Sequence, residues 1–432
     1  MKIEALYEIY LRFPSVNTDT RTIKPGDIFF ALKGPNFNAN AFASEALVAG
    51  AAYVIVDELH QPANERIILV NDVLESLQQL AKHHRKQFHI PFLAITGSNG
   101  KTTTKELCHT VLSQKYNTHT TRGNLNNHIG IPLTLLEMQH NAEIAVIEMG
   151  ANHQGEIRDY CHIALPGAGL ITNIGRAHLE GFGGIEGVKK GKGELFDFLS
   201  KNAHSTIFIC SDFAELEELS IKFNSKQLVR YGTGSGNFVS AVIKRTDPYL
   251  ELELTQTGGD TISIQTRLVG SYNQYNVLAA AAVGLHYGIS LQQIKNAVET
   301  YNPQNNRSQW KAVDGNVYIL DAYNANPSSM QAAIENFAAM QAKQKILFLG
   351  AMKEMGDFSS HEHQQLVKLI RNYSWKTVVL VGEEYKGISH PFLWFSNSEE
   401  AGKWWIENAG KDNTVLVKGS RGSAMEKMIP QN

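Results

Sequence analysis

The residues best suited to chemistry form a glycine-bearing loop, which reads TGSNGKTTT over residues 96–104. It follows a short apolar run, Phe92–Ile95, and continues into good helix formers. A buried strand that enters such a turn, with Lys-Thr opening a helix, wraps backbone N–H groups around a triphosphate. The full pattern has glycine where Ile95 stands, so we interpret the loop as a shortened form. The alternative is an ordinary strand–helix turn.

In this loop Lys101 would reach the β- and γ-phosphates of a nucleotide, and the Thr102 hydroxyl would bind Mg²⁺. The residues expected to contact the nucleotide are Gly97, Ser98, Asn99, Gly100, Lys101, Thr102 and Thr103.

Two polar segments follow other apolar runs and could hold a metal ion, because ligands bind at the carboxyl ends of strands in open α/β sheets. Glu148 follows Ile144–Ile147. A buried carboxylate is costly unless it is paired or bound to a cation, and Mg²⁺ prefers oxygen ligands. His178 lies in a glycine-rich segment after Gly169–Thr172 and could join the metal or contact a phosphate. A salt-bridged glutamate and a structural histidine are the alternatives.

Two further segments are polar without a clear chemical signature. Residues 122–130 read RGNLNNHIG and could bind a sugar, an amide or a pyrophosphate, or could be a plain asparagine-rich loop. Residues 188–196 read VKKGKGELF, and three lysines in four positions are typical of a solvated helix face.

The elements that must position these residues fall into three regions. We expect a small α/β domain over residues 1–88, a central ATPase-like domain with a mainly parallel sheet over 89–304, and a doubly wound Rossmann-like domain over 305–432. Short apolar runs separated by helical patterns predict strands buried on both faces. Residues 249–268 instead alternate around Gly258-Gly259-Asp260, which predicts a hairpin at the edge of the sheet or in a small flanking sheet. The basic stretch Lys82–Lys86 predicts an exposed helix end or linker.

Composition limits the remaining classes. The chain has 432 residues, a formal net charge of −2 and 19% charged residues, so we expect no nucleic-acid partner. Its apolar runs stay well below the roughly 20 residues of a membrane helix, and its first residues make a poor signal peptide. The three cysteines are far apart, which predicts reduced, buried thiols in a cytoplasmic protein.

The motifs together resemble those of the Mur ligase family, over nearly the whole chain. Besides the phosphate loop, the resemblance rests on segments in a specific order: RGNLNNHIGIPLTLLE, IEMGANHQGEI, ITNIGRAHLEGFG, KGELF, GSYNQYNVLAA, DAYNANPSSM, FLGAMKEMGD and VLVKGSRGSAMEK. The first domain, with Asp19-Thr20-Arg21 and the segment Pro25–Gly34, resembles the family's uridine-nucleotide domain. The third domain resembles that of the members that add D-alanyl-D-alanine.

The resemblance implies a role for individual residues. It implies catalytic roles for Lys101, Lys192, His178 and Arg307, and a metal shell of Thr102, Glu148, His178 and Lys192. Lys192 matches the lysine that is carbamylated in the family. Nucleotide contacts are implied for Asn273, Asn276, Arg307 and Asp321, and contacts on the muramoyl-peptide side for Asn124, Asn127, Asn152 and His153. The roles of Lys418, Ser420 and Arg421 stay open.

The implied activity is an ATP- and Mg²⁺-dependent ligation that joins D-alanyl-D-alanine to UDP-N-acetylmuramoyl-tripeptide through an acyl phosphate. The alternatives are a ligase of the same family that adds a single amino acid and a P-loop nucleotide-dependent regulatory protein. We expect a monomer without membrane insertion. Because the nucleotide ligands divide between two domains, we also expect the last domain to close on the central one, with Arg307 far from Lys101 before closure.

Overall fold

The computed structural model describes residues 1–60, 64–304 and 306–429, which form an α/β fold with three major sheets of four, nine and six strands. The strands of each major sheet fall within one of the three expected regions, and we call these the N-terminal, central and C-terminal domains. Their boundaries remain a proposal. Among the described residues, no helix is long and apolar enough to cross a membrane.

The N-terminal domain has a parallel sheet of order β1-β2-β5-β6 and a small separate β3–β4 ladder. Its central strands are apolar on both faces and buried except at Tyr53, as expected for strands covered by helices. The elements are α1 (Ile3–Arg12), β1 (Val16–Asn17), β2 (Ile28–Phe30), β3 (Lys33–Gly34), β4 (Phe37–Asn38), α2 (Ala43–Val48), β5 (Tyr53–Val56), β6 (Ile67–Leu69) and α3 (Val73–Arg85).

The basic stretch ends α3 and Lys86 is exposed, as expected, but the expectation was wrong for His84 and Arg85, which contact the central domain. His84 is buried, with Nδ1 at 3.1 Å from the Tyr7 hydroxyl and Nε2 at 3.2 Å from the Met138 carbonyl oxygen. The Arg85 guanidinium donates to the carbonyl oxygens of Ala164 and Leu165 and lies 3.5 Å from the centre of the Phe92 ring. His84 and Arg85 thus donate hydrogen bonds to the central domain. The sequence pattern alone does not distinguish such side chains from basic side chains that face water.

The central domain has a sheet of order β15-β14-β13-β12-β11-β10-β7-β9-β8, parallel from β8 to β13. The predicted hairpin is confirmed as β14–β15 at one edge. The elements are β7 (Phe92–Thr96), α4 (Lys101–Leu112), β8 (Thr118–Thr120), α5 (Gly130–Leu136), β9 (Ile144–Glu148), α6 (Glu156–Ala164), β10 (Ala168–Ile171), α7 (Leu179–Phe182), α8 (Ile185–Leu199), β11 (Thr206–Cys210), α9 (Ala214–Ser220), β12 (Leu228–Gly232), β13 (Val239–Arg245), β14 (Glu251–Gln256), β15 (Thr261–Gln265), α10 (Asn273–His286) and α11 (Leu291–Thr300).

The C-terminal domain has a sheet of order β16-β17-β21-β18-β19-β20, parallel except for β16. All five tryptophans of the chain lie in this domain, and Trp405 is buried against Phe348 in its core. The elements are β16 (Gln309–Val313), β17 (Asn316–Asp321), α12 (Pro327–Ala339), β18 (Lys345–Gly350), α13 (Ser359–Arg371), β19 (Thr377–Val381), β20 (Leu393–Phe395), α14 (Ser398–Asn408) and β21 (Thr414–Lys418). The predicted α/β class with a parallel central sheet is therefore confirmed.

Candidate active site

The order of strands in the central sheet brings the predicted chemical groups together. Strand β7 lies between β9 and β10, and all three are parallel. The loop after β7, Glu148 at the end of β9 and the segment after β10 therefore meet at one edge of the sheet. Although these groups are separated by up to about 80 positions in sequence, the three apolar runs predicted before them are enough to explain their convergence.

The phosphate loop is held in shape by the segment that follows β10. Backbone N–H groups of Ser98 and Asn99 donate to the carbonyl oxygen and the side-chain oxygen of Asn173, each at 3.0 Å. Gly97 has φ +141°, and a Cβ atom there would lie 2.0 Å from Thr172 Oγ1. Glycine is required at this position because the backbone approaches Thr172 too closely for a side chain. Gly100 precedes α4 in a left-handed conformation.

Lys101 folds back over the loop. Its amine donates to the carbonyl oxygens of Gly97 at 2.8 Å and Ser98 at 3.2 Å. Burial lowers the pKa of the amine; the charges of Glu148 and Glu354 oppose this shift, and that of Arg307 adds to it. The amine is thus held by neutral acceptors at the N-terminus of α4, where an anion would find both a cation and free backbone donors.

Glu148 and Thr102 form the core of the predicted metal site. Glu148 is 1% exposed, and its Oε1 accepts from Thr102 Oγ1 at 3.1 Å and from Asn126 Nδ2 at 2.7 Å. Its Oε2 is buried without a hydrogen-bond partner among the described residues. A buried carboxylate oxygen left open in this way is costly unless a cation occupies the space beside it, and Mg²⁺ accepts carboxylate and hydroxyl oxygens.

Asn273 and Asn276 lie at the start of α10, against the phosphate-loop helix. Asn276 Nδ2 donates to Asn273 Oδ1 at 2.8 Å, and Asn276 Oδ1 accepts from Thr104 Oγ1 at 3.0 Å. A Cβ atom on Gly100 would lie 2.5 Å from Asn276 Oδ1, so this pair supports the end of the loop directly. Both asparagines also line the cavity between the central and C-terminal domains.

The C-terminal domain contributes the opposite wall. The Arg307 guanidinium lies 3.6 Å from the centre of the Tyr323 ring, and its Nε is buried without a hydrogen-bond partner among the described residues. Asp321, at the end of β17, pairs with Lys418, its neighbour on β21, at 2.5 Å. Arg307 and Lys101 line the same cavity, so the structure has the domains together rather than separated as expected before closure.

His178 stands between the central and C-terminal domains, in a left-handed conformation with φ +52°. Its Nδ1 forms a short hydrogen bond with Glu354 Oε2 of the C-terminal domain. Burial lowers the pKa of His178; the Glu354 carboxylate opposes the shift, while the charges of Lys101 and Lys192 add to it. Burial therefore favours the neutral form of this ring, which borders the cavity.

Lys192 is fully buried in α8, unlike its neighbour Lys190, which is exposed. Its amine donates to the Ala151 carbonyl oxygen at 2.8 Å and lies 4.9 Å from the centre of the Phe182 ring. Burial lowers the pKa of this amine well below its usual value, and the Lys101 charge adds to the effect. The run of lysines therefore does not form a uniformly solvated helix face, since Lys190 is exposed and Lys192 is buried.

Most of these groups line a cavity of about 650 Å³ between the central and C-terminal domains, whereas Gly97 and Lys192 lie outside its lining. Of the residues expected on the peptide side, Asn127 and Asn152 line it, whereas Asn124 and His153 are exposed outside its wall. His153 instead lies 3.3 Å from Glu156. The predicted residues that border the cavity are Ser98, Asn99, Gly100, Lys101, Thr102, Thr103, Asn127, Glu148, Asn152, His178, Asn273, Asn276, Arg307 and Asp321.

Four residues with evident roles at the site were not among the predicted ones. Asn126 binds Glu148, Asn173 holds the phosphate loop, Tyr323 lies under Arg307 and Glu354 binds His178. Each lies within one of the motifs on which the family resemblance rests. The motifs therefore contained the signal, but only the folded chain shows which atom each side chain meets.

Residues 95–284 match the Mur ligase middle domain, and residues 306–421 match the domain described as Mur ligase, glutamate ligase domain. The chain is 33% identical to the UDP-N-acetylmuramoyl-tripeptide–D-alanyl-D-alanine ligase of Bacillus subtilis (strain 168), over 96% of this chain and 92% of that protein. It is 34% identical to the Escherichia coli (strain K12) enzyme of the same name, again over 96% and 92%.

Solved structures give the same picture. A crystal structure of MurF from Acinetobacter baumannii superposes with a TM-score of 0.86 at 31% identity, covering 96% of this chain and 92% of that one. MurF ligase from Thermotoga maritima in complex with ADP superposes with a TM-score of 0.86 at 26% identity, covering 97% and 96%.

Proposed function

The chain belongs to the Mur ligase family, and from that premise we propose that it joins D-alanyl-D-alanine to UDP-N-acetylmuramoyl-tripeptide while ATP is converted to ADP and phosphate. The product is the UDP-muramoyl-pentapeptide of peptidoglycan synthesis. The relatives from Bacillus subtilis and Escherichia coli carry the name of this ligase, and this chain covers 92% of each. The ADP complex of the Thermotoga maritima protein supports the use of ATP.

The observation that carries the proposal is the division of one cavity between two domains. Lys101 and Glu148 come from the central domain, and Arg307 and Asp321 come from the C-terminal domain. A nucleotide whose phosphates lie on the loop would place its γ-phosphate between two cations, Lys101 and Arg307. A γ-phosphate held between two cations is suited to phosphoryl transfer.

The proposed chemistry consists mainly of positioning and charge stabilisation. The terminal carboxylate of the tripeptide attacks the γ-phosphate of ATP, which gives an acyl phosphate and ADP. The amine of D-alanyl-D-alanine then attacks the acyl carbon, and inorganic phosphate leaves. Lys101 and Arg307 spread the charge on the transferred phosphoryl group. Docking of the two domains keeps water away from the acyl phosphate, which would otherwise hydrolyse.

The residues fit a magnesium ion of the nucleotide. Thr102 and Glu148 would hold it through oxygen atoms, together with His178 and a carbamylated Lys192. When bound, Mg²⁺ neutralises charge on the phosphate oxygens. The open Glu148 Oε2 supports this assignment.

The carbamate on Lys192 is the most specific part of the proposal. Burial lowers the pKa of the Lys192 amine well below its usual value and so favours the neutral amine, which is the form that adds CO₂. The adduct would present anionic oxygen donors instead of an ammonium group that repels the metal ion. A ¹³C NMR spectrum of the enzyme in ¹³C-bicarbonate should show a carbamate signal that is lost in Lys192→Ala and kept in Lys190→Ala. A signal that survives Lys192→Ala would overturn the assignment.

A ligase assay tests the function itself. ADP release is followed with UDP-N-acetylmuramoyl-tripeptide, containing either diaminopimelate or lysine, and D-alanyl-D-alanine. We expect ADP formation that needs both substrates, and a pentapeptide product in mass spectra. D-alanyl-D-alanine is replaced by single amino acids as a control. Turnover with a single amino acid, and none with the dipeptide, would refute the proposal.

The location of the enzyme in the cell is part of the same proposal. A cytoplasmic location suits an enzyme that uses ATP, and the three cysteines are buried and unpaired, as is usual in a reducing compartment. The roles of individual site residues are likewise proposals, and variants at Lys101, Lys192 and Glu354 test them.

A further inference from the structure

The contact between His178 and Glu354 crosses from the central to the C-terminal domain. His178 comes from the segment after β10, whereas Glu354 comes from the turn after β18. The side chain of His178 is 17% exposed and that of Glu354 is 51% exposed, so the pair lies at the rim of the domain interface. Both residues have positive φ angles, +52° and +62°, which non-glycine residues rarely adopt.

The turn that carries Glu354 is fixed firmly to its own domain. The backbone N–H of Met352 donates to His363 Nε2 at 3.0 Å, and that of Lys353 donates to Ser420 Oγ at 2.9 Å. On the other side, the Glu354 carbonyl oxygen accepts from the Glu180 backbone N–H at 3.5 Å. The carboxylate is therefore presented by a rigid turn, and it reaches His178 only while the two domains are docked.

A carboxylate on one ring nitrogen determines what the other nitrogen can do. Because Glu354 accepts a hydrogen bond at Nδ1, it stabilises the tautomer with the proton on Nδ1. Nε2 then carries a lone pair and is free to bind a metal ion or accept a hydrogen bond. Carboxylate partners of this kind orient metal-binding histidines and increase their basicity.

We propose that Glu354 is a positioning residue of the ligase reaction, which sets the tautomer and orientation of His178 when the C-terminal domain docks. The inference rests on the proposed function, because it assumes that this tautomer serves to bind the metal ion of the nucleotide. It makes the metal shell of the central domain complete only in the docked state. The acyl phosphate would thus form only after the domain that shields it has arrived.

The tautomer is measured directly in the full chain, labelled with ¹⁵N-histidine and saturated with a non-hydrolysable ATP analogue and Mg²⁺. Two-bond ¹H–¹⁵N correlation spectra distinguish Nδ1–H from Nε2–H rings, and a His178→Gln variant assigns the signal. We expect Nδ1–H in the unsubstituted protein. Glu354→Ala should lose this preference, and Glu354→Gln, which keeps the size of the side chain, should weaken it.

Glu362→Ala is the matched control, because Glu362 pairs with Arg176 across the same interface at 3.1 Å without touching His178. Mn²⁺ affinity in the presence of the ATP analogue, followed by EPR, should fall by roughly 10- to 100-fold in Glu354→Ala, as is typical for partners of metal-binding histidines, and far less in Glu362→Ala. In the ligase assay Glu354→Ala should lower kcat and leave the KM for D-alanyl-D-alanine nearly unchanged.

Two results would overturn the inference. One is an Nδ1–H ring and normal Mn²⁺ affinity in Glu354→Ala. The other is an equal loss in Glu362→Ala, which would show that Glu354 only helps the domains dock. Neither the tautomer nor the Mn²⁺ measurement needs the peptide substrates, so both remain informative if the ligase assay fails.

Discussion

Two basic side chains, Lys101 and Arg307, line the nucleotide cavity, and Lys192 is buried next to Ala151 of the cavity wall. Each of the three is held by something other than a carboxylate. Lys101 donates to loop carbonyl oxygens, Lys192 donates to the Ala151 carbonyl oxygen, and Arg307 lies on the Tyr323 ring. Because Lys101 and Arg307 are held in this way, their charge stays available to an incoming polyanion, whereas a salt bridge would already have neutralised it. The same arrangement leaves Lys192 free to change its chemical form.

Replacing Lys101 with alanine should lower ADP formation by at least about 100-fold, because its charge stabilises the transferred phosphoryl group. The protein should stay folded, since the amine meets only loop carbonyl oxygens. Steady-state kinetics and circular dichroism measure the two effects. Lys115→Ala, an exposed lysine just after α4, is the control and should be near normal. Normal turnover in Lys101→Ala would refute the phosphate-loop assignment.

The Lys192→Ala variant should be nearly inactive, because the oxygen donors of the carbamate are lost. Added short-chain carboxylates should restore part of the activity by taking the place of those oxygens in the space left by the side chain. The measurement is ADP release as a function of formate or acetate concentration, with Lys101→Ala as a variant that these anions cannot rescue. Full activity of Lys192→Ala without any addition would contradict the role assigned to the carbamate.

At the scale of helices and strands, the apolar runs before residues 97, 148 and 172 predict where each buried strand ends. The chemistry follows from those ends, so this part of the site can be derived from sequence. Short, half-buried strands such as β8 lack that signal. His84 and Arg85 at the basic end of α3 were misjudged because a run of basic residues has the same sequence pattern whether its side chains face water or the carbonyl oxygens of another domain. Pairs such as His178 and Glu354 depend on how two separately folded domains dock, which no local pattern records.

His84, in the same helix, should make stability depend on pH. Burial lowers its pKa in the folded protein to about 4, below the usual 6.5, because only the neutral ring suits its position. Between these values the unfolded chain binds a proton that the folded chain does not, so stability falls as pH decreases from about 6.5 toward 4. The loss should reach at most about 3 kcal/mol.

Urea unfolding at a series of pH values, followed by circular dichroism, measures this dependence. His84→Gln should be less stable at pH 7 but should have a flatter pH profile than the unsubstituted protein. His89→Gln, a nearby exposed histidine, serves as the control. An unchanged slope in His84→Gln would show that other groups cause the acid sensitivity.

At the scale of the whole molecule, polar contacts join the central and C-terminal domains around the cavity, and apolar side chains such as Tyr249 and Trp310 pack across the interface. Asn326 Nδ2 donates to Asn99 Oδ1 at 2.8 Å, and the Arg176 backbone N–H donates to Ser328 Oγ at 2.9 Å. Polar contacts such as these are typical between domains that move relative to one another. The connector at residues 302–306 is the expected hinge, although residue 305 lies outside the described residues.

We therefore predict that the C-terminal domain moves as a rigid body in solution and that ligands favour the docked state. Small-angle scattering should give a larger radius of gyration for the free enzyme than for the enzyme with an ATP analogue and UDP-muramoyl-tripeptide. The ATP analogue alone serves as a comparison, since it fills only part of the cavity. An identical radius of gyration in all three samples would argue against a closure step.

The placement of the tryptophans gives this movement an optical reporter. Because all five lie in the C-terminal domain, indole emission arises from that domain alone. Excitation selective for indole would therefore follow unfolding of the C-terminal domain separately from the rest of the chain, without engineered probes. Trp310 lies three positions after Arg307, so its emission should also sense a nucleotide arriving at that arginine. The natural sequence thus supplies a domain-specific fluorophore set for titrations of unlabelled protein.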